Sequence, residues 1–209
     1  MNSLFVRLLL LVVGTSFVQA QPASSLQMRG FGEVPPETDV LLRGEALGVV
    51  SFGHLRHKPP REAKRSFDRA FEFVRRNQPE QAAKALERSI RGDPGFAEAH
   101  GELGVQYARL GRAEEAEAEF KEALRLDPSY WILHYNLALV LLDRGSQSEA
   151  EAYAGRALQI SNNAFTQMGM GLVLSRNPET RSRAEVYLKS AARTLPIALD
   201  FLRRLDDEH

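Results

Sequence analysis

Residues 97–130 read AEAHGELGVQYARLGRAEEAEAEFKEALRLDPSY, and the pattern of this stretch recurs along the chain. Its clearest sign is an alanine that returns every 34 residues, as Ala82, Ala116, Ala150 and Ala184. A fixed period of this length is typical of stacked helical hairpins, each of which needs its neighbours to cover its apolar face. The sequence therefore predicts an extended repeat architecture, which is suited to presenting a binding surface.

Each unit also carries a small residue 12 positions before that alanine, as Ala70, Gly104 and Ala138. This spacing fits one helix, a tight turn and the start of a second helix. Small residues that face each other let the two helices approach closely. Gly111 and Gly145 are predicted to end the first helices. The second helices are predicted to close near Pro94, Pro128, Asn162 and Pro196.

The best repeat resembles the consensus of the tetratricopeptide repeat family, with its residues in the family's order: Leu103, Gly104, Tyr107, Ala116, Phe120, Ala123 and Pro128. The resemblance covers roughly residues 63–198. It implies an all-α, right-handed α-solenoid of about four helix-turn-helix hairpins, near residues 63–96, 97–130, 131–164 and 165–198. A capping helix is expected within residues 196–209.

The last repeat matches the family in its second helix only, which we place near Glu179–Leu195. Its first helix contains Gly169 and Gly171 and is followed early by Pro178. Glycine and proline both disfavour helix, so this first helix is predicted to be short or frayed.

The first 20 residues have the features of a signal peptide. Arg7 supplies a positive charge, Leu8–Val13 is an unbroken apolar run, and Val18-Gln19-Ala20 places small residues where a signal peptidase cleaves. The alternative is an uncleaved anchor, but the run is short against the ~20 residues that a membrane span needs. We therefore expect cleavage before Gln21, export to the periplasm or outside the cell, and no transmembrane span in the mature chain.

Residues 21–58 are predicted to form an irregular leader ahead of the repeat domain at 59–209, because the segment is rich in Pro, Gly and Ser. Val49–Phe52 is a candidate strand. A lone strand is not stable, so it would have to pair with another chain or lie along the first hairpin. The alternative is an ordered coil packed on the repeats.

Composition argues against several classes of function. The chain has no cysteine, which excludes disulfides and thiolate zinc sites, and its 27 basic and 27 acidic residues make no case for nucleic acid. The charges are uneven: residues 54–92 carry 11 basic against five acidic, and residues 93–130 carry four against nine. Adjacent repeats are expected to attract each other on this account. The alternative is that the basic end docks on an anionic envelope surface or an acidic partner.

No catalytic constellation is visible in the sequence, so the chain is predicted not to be an enzyme and to need no cofactor. His100 and His134 could suggest a metal site, because they lie one period apart. The repeat explains their spacing without a metal ion.

In the family that this chain resembles, the first helices line an inner groove. The corresponding candidates here are Phe67, Phe71, Val105, Tyr135, Asn136 and Leu139. Such a groove is apolar with a polar handle, which suits a hydrophobic helix or an extended segment. If the groove is open, Tyr135→Ala should weaken binding and leave the fold intact. Two alternatives remain: the residues are core between repeats, or the leader itself fills the groove.

The resemblance implies a non-enzymatic protein- or peptide-binding scaffold or assembly factor, here in the extracytoplasmic space. The alternatives are a structural protein that self-associates into a homo-oligomer, and an accessory to an unrecognised enzymatic activity.

Overall fold

The computed structural model of the protein describes residues 57–207, which form an all-α helical repeat solenoid. Nine α-helices and a 3₁₀ turn at Pro178–Thr180 make up this part of the chain. The helices are α1 Arg61–Arg75, α2 Pro79–Gly92, α3 Ala97–Arg109, α4 Ala113–Leu126, α5 Trp131–Asp143, α6 Gln147–Ile160, α7 Ala164–Leu174, α8 Arg181–Ala191 and α9 Ile197–Asp207. The all-α repeat fold is thereby confirmed. The predicted signal peptide, the candidate strand and nearly all of the leader lie outside the described residues.

Consecutive helices pair into four hairpins, which stack in chain order. Each hairpin packs its two helices on each other most extensively, and its second helix then packs on the first helix of the next hairpin. The first helices also approach one another, α3 beside α5 and α5 beside α7. We call α1, α3, α5 and α7 the inner helices, which together form the inner layer. We call α2, α4, α6 and α8 the outer helices.

The turns within the first three hairpins use the same backbone conformation at the same slot. Gly111 and Gly145 have φ of 80° and 81°, which confirms the predicted ends of the first helices. Asn77 occupies the slot 34 residues before Gly111 and has φ of 55°. The left-handed region favours glycine, and asparagine tolerates it better than most residues. The period could have identified Asn77 as a turn residue.

Small residues hold the hairpins together at close range, as the sequence predicted. Ala82, Ala116 and Ala150 are fully buried on the outer helices, and Ala70 and Ala138 are buried on the inner ones. A Cβ added to Gly104 would lie 2.9 Å from two ring carbons of Phe120. The glycine in the second repeat is therefore required by the aromatic ring opposite it.

The fourth hairpin confirms one prediction and departs from another. Its inner helix is short, as expected, and its start is capped: the Asn163 side chain accepts hydrogen bonds from Phe165 N and Thr166 N, at 2.9 and 3.1 Å. The difference concerns the predicted helix Glu179–Leu195. It is replaced by the 3₁₀ turn and the shorter α8, because Pro178 starts a tight turn in which Asn177 Oδ1 accepts a bond from Glu179 N.

The last helix, α9, packs on α8 and closes the carboxyl end of the stack. Ala198, Phe201 and Leu205 are buried on one side of it. Such a helix covers the apolar side of the hairpin on which it packs. This matches the predicted capping helix. Within residues 57–207, no helix has both the length and the apolar character needed to cross a membrane.

Candidate functional site

The six predicted groove residues all lie on the inner helices, but most of them are not on an open surface. Val105, Tyr135 and Leu139 are at most 1% exposed, and Asn136 is completely buried. Phe67 is buried as well, and only Phe71 is partly exposed. Five of the six side chains are therefore buried in the structure. Their contact with a partner stays a prediction.

Inner and outer helices differ sharply in how much of their circumference is buried. In the outer helix α6 only Ala150, Ala154 and Ala157 are buried, which is one stripe. In the inner helix α5 every residue from 133 to 142 is buried, and in α3 every residue from 99 to 108. Because successive helical residues point in directions about 100° apart, ten in a row cover the whole circumference. Helices α3 and α5 are thus enclosed over these residues.

The contacts of the Tyr135 ring show how α7 covers part of α5. A Cβ added to Gly169 would lie 2.8 Å from two carbons of the Tyr135 ring, so the ring rests directly on the backbone of α7. The Trp131 ring meets Tyr135 edge-on, with centroids 6.4 Å apart. Burial raises the pKa of the Tyr135 hydroxyl. Gly169 is a helix-disfavouring residue in the sequence, and its role is to receive this ring.

The first repeat contributes an aromatic cluster at the rim of the inner layer. The Phe67 ring packs on Phe96, with centroids 4.7 Å apart, and on Phe71 at 5.0 Å. Phe96 immediately precedes α3, so this cluster joins the first two repeats. Phe71 keeps part of its ring exposed, which makes it the most accessible of the six predicted residues.

Buried polar side chains accompany the apolar ones in the inner layer. Glu102 and Asn136 occupy equivalent slots one period apart, and both are at most 1% exposed. Thr166 is also buried, where its hydroxyl belongs to the cap of α7. Sequence reasoning identified Asn136 but not Glu102. The period could have marked its position, but its burial depends on the tertiary packing.

The two histidines serve the repeat itself. His100 Nε2 and His134 Nε2 lie 3.2 and 2.9 Å from the carbonyl oxygens of Pro94 and Pro128, each six residues earlier. Both rings thus tie an inner helix to the proline loop before it. Within the described part of the chain, no three His, Cys, Asp or Glu side chains cluster in a way that could hold a metal ion.

The acidic second repeat is linked to both of its neighbours. Tyr107 Oη donates to Glu87 Oε1 of the first repeat at 3.1 Å, and the Arg112 guanidinium lies 4.1 Å from the centre of the Tyr107 ring. Burial and the neighbouring Glu87 raise the pKa of Tyr107 to about 12. On the other side, Arg144 of the third repeat pairs with Glu117. A hydrogen bond thus joins the second repeat to the first, and an ion pair joins it to the third.

Comparison with known proteins agrees with this architecture. The family model described as tetratricopeptide repeat matches residues 67–130 and 107–165. No curated protein sequence matches the chain.

Several solved structures share the fold at low sequence identity. PilW, described as a widely conserved type IV pilus biogenesis factor, is 22% identical with a TM-score of 0.64, over 70% of this chain and 69% of PilW. MamA from Desulfovibrio magneticus RS-1 is 21% identical with a TM-score of 0.60, over 66% of this chain and 78% of MamA. YrrB, described as a TPR protein with an unusual peptide-binding site, is 22% identical with a TM-score of 0.56, over 64% and 69%.

Proposed function

We propose that the protein is a non-enzymatic scaffold or assembly factor that binds a protein or peptide through its inner layer, because residues 67–165 match the tetratricopeptide repeat model. We place this binding in the extracytoplasmic space, on the strength of the signal-peptide features of residues 1–20. Relatives in fold include a pilus biogenesis factor and a peptide-binding protein, which is consistent with such a role.

The observation that carries the proposal is the composition of the inner layer. Apolar side chains (Phe67, Tyr135 and Leu139) and polar ones (Glu102 and Asn136) are buried on the inner helices, and Phe71 and Ile132 on the same helices are partly exposed. An extended segment or an amphipathic helix needs this combination, because apolar contacts supply affinity and a few polar groups set direction and register. The outer helices present mainly charged and small residues instead.

No chemistry beyond binding is needed for this role. The depression lined by Ser148, Glu151, Arg156 and Met170 lies between α6 and α7 and is formed mainly by the outer helix α6. The histidines are engaged by proline carbonyls and, for His100, by Glu119. The mechanism we propose is equilibrium binding by a surface that the stacked repeats hold in place.

The proposal can be tested by site-specific photo-crosslinking in the envelope of the source organism. The crosslinking amino acid p-benzoylphenylalanine is introduced at Phe71 or at Ile132, which are the partly exposed members of the inner layer. The matched control is Val186 on the outer helix α8, which is 66% exposed. We expect a discrete adduct from both inner positions and none from Val186. Adducts from Val186 alone, or from none of the three sites, would overturn the proposal.

A further inference from the structure

We propose that the exposed side of α1 is a docking surface for an acidic α-helix of a partner protein, whose carboxylates pair with Arg65, Arg69 and Arg76. We call these three residues the arginine stripe. This docking goes beyond the proposed binding by the inner layer, because the stripe lies on a different side of α1 from Phe67 and Phe71.

The slots of Arg65 and Arg69 are covered by protein in the later repeats. One and two periods later these slots hold apolar residues, namely Ala99 and Leu133, and Leu103 and Leu137. All four are at most 2% exposed, in helices that pack on the outer helix before them. Arg65 and Arg69 are exposed, and among residues 57–207 no helix precedes α1. The two arginines therefore lie on the side where a later inner helix receives the preceding hairpin.

Helical geometry places the arginine stripe on one side of α1, away from the second hairpin. Its three residues lie within about 40° of one another around the helix. Phe67, which packs on Phe96 just before α3, lies about 160° from Arg69. All three arginines are exposed, and none forms an ion pair within the part of the chain that the structure describes. Glu72 shares this side of the helix, so three cations there face one carboxylate.

The third repeat shows what such an arginine binds when the preceding hairpin is in place. Arg144 occupies the slot of Arg76 two periods later. Its guanidinium pairs with Glu117 and lies 3.6 Å from a carboxylate oxygen of Glu114. Both glutamates belong to α4, the outer helix of the preceding hairpin. Arg76 presents the same group at the equivalent slot, so a helix with carboxylates in the position of α4 would pair with it.

Charge favours a partner protein over a second copy of this chain. Residues 57–92 carry ten Lys and Arg against five Asp and Glu, so the first hairpin has an excess of positive charge. The acidic outer helix α4 is the obvious complement within another copy. Its carboxylates Glu115, Glu117 and Glu122 already form ion pairs with Arg112, Lys121 and Arg125. A helix whose carboxylates have no such partners fits the arginine stripe better.

The spacing of the arginines specifies the partner helix. Helices joined by a short turn run antiparallel, as α4 and α5 do, so a helix in the corresponding position runs antiparallel to α1. Its carboxylates then meet Arg76, Arg69 and Arg65 from positions i, i+7 and i+11, which share one side of a helix. Exposed ion pairs are individually weak, and three of them together correspond to about a tenfold change in affinity.

Alanine-rich helical peptides test the surface on the full chain. One peptide carries glutamate at positions i, i+7 and i+11, a second carries glutamine there, and a third spreads three glutamates around the helix. Fluorescence anisotropy at low salt should show about tenfold tighter binding of the first peptide than of the other two, and salt should weaken it. Equal affinity for all three peptides, or for the two glutamate peptides, would overturn the inference.

Charge reversal supplies the second test. The variant Arg65→Glu, Arg69→Glu, Arg76→Glu should lose the glutamate peptide and gain affinity for the same peptide with lysine at the three positions. The matched control makes the same change of charge at exposed arginines of the later repeats, Arg125→Glu, Arg156→Glu and Arg183→Glu. It should keep the preference for the glutamate peptide. Circular dichroism checks that both variants fold. An equal loss in the control would show that binding follows net charge alone, against the inference.

Other occupants give different results. Binding to phosphatidylglycerol vesicles or to an RNA oligonucleotide that the charge-reversal variant loses, without preference for the glutamate peptide, would assign the arginines to a membrane or to nucleic acid. Self-association that the same variant abolishes would assign the surface to a second copy. Either result overturns the inference and leaves the inner-layer proposal standing, since photo-crosslinking at Phe71 and Ile132 probes other side chains.

Discussion

The second and third repeats, residues 97–130 and 131–164, use the same frame with different side chains. In the hairpin contact the second repeat pairs Gly104 with Phe120, whereas the third has Ala138 and Ala154 at the same slots. On the inner side the second repeat is small at Gly101 and the third is large at Tyr135. The two hairpins thus fill their interiors with large side chains at different slots. The stack requires a given packing density, and different residues can supply it.

The equivalent histidines extend this comparison to electrostatics. His100 Nδ1 lies 2.7 Å from Glu119 Oε2, whereas the slot of Glu119 is occupied in the third repeat by Tyr153, whose ring lies 5.9 Å from that of His134. Burial lowers the pKa of His134. Burial also acts to lower the pKa of His100, but the hydrogen bond and charge of Glu119 outweigh it, and the pKa is raised. Glu119 on the outer helix therefore reverses the direction in which the pKa of the equivalent histidine is shifted.

The largest expected effect is that of Tyr135→Ala, which should cost about 3–5 kcal/mol of unfolding free energy. The ring is fully buried against Gly169 and Trp131, so its removal leaves a cavity between the third and fourth repeats. Denaturant unfolding measures the loss, and Tyr153→Ala, a partly buried site in the same repeat, is the matched control with a smaller loss. Equal losses would contradict the account of the inner layer. This replaces the sequence-based expectation that the fold would tolerate Tyr135→Ala.

An intermediate effect on stability is expected at Gly104 and Ala138, the equivalent small residues of the second and third repeats. Gly104→Ala should cost about 1–3 kcal/mol, because its methyl group meets the buried Phe120 ring. The reverse change in the third repeat, Ala138→Gly, should cost about 1 kcal/mol through helix propensity, with any cavity term in addition. In a Phe120→Leu background the penalty of Gly104→Ala should shrink. An undiminished penalty in that double mutant would show that the clash is not with the ring.

The smallest and most specific effect is that the stability contributed by the two histidines depends on pH in opposite directions. The raised pKa of His100 contributes stability that is fully present below pH 6.5 and is lost as the pH rises through the folded-state pKa. The lowered pKa of His134 contributes stability that is present above pH 6.5 and is lost as the pH falls through the folded-state pKa.

Thermal unfolding of His100→Gln and His134→Gln on both sides of pH 6.5 separates the two contributions. Relative to the parent chain, His100→Gln should be most destabilised at the acidic pH. The stability of His134→Gln relative to the parent chain should be higher at the acidic pH than at the alkaline pH. Parallel pH profiles for both variants would refute the role of Glu119, and Glu119→Gln should remove the excess stability that His100 gives at acidic pH.

Much of the fold was predictable because its signals are local. The 34-residue period located the hairpins, and the glycines at 111 and 145 located their turns. The difference in helix bounds falls where the period lapses. Pro178 converts the start of the predicted helix Glu179–Leu195 into a 3₁₀ turn, and the short helix before it begins at the Asn163 cap. Both outcomes depend on hydrogen bonds that a consensus pattern does not specify.

The candidate site was predictable only in part. Periodicity assigned Phe67, Val105, Tyr135, Asn136 and Leu139 to one layer, because equivalent slots of a repeat must face the same way. It did not reveal that these side chains are buried, nor that Glu102 joins them. Burial depends on what packs against a face, and the sequence of a helix states only which residues share that face.

The sequence by itself indicated the architecture, because small and large residues that repeat every 34 positions are typical of stacked helical hairpins. It also determined the absence of cysteine and the export features of residues 1–20. The tertiary structure alone decided that Gly169 receives the Tyr135 ring, that His100 and His134 titrate in opposite directions, and that α3 and α5 are enclosed. The physical reason is that these properties arise from contacts between residues of different helices, whose distances the period of the sequence does not specify.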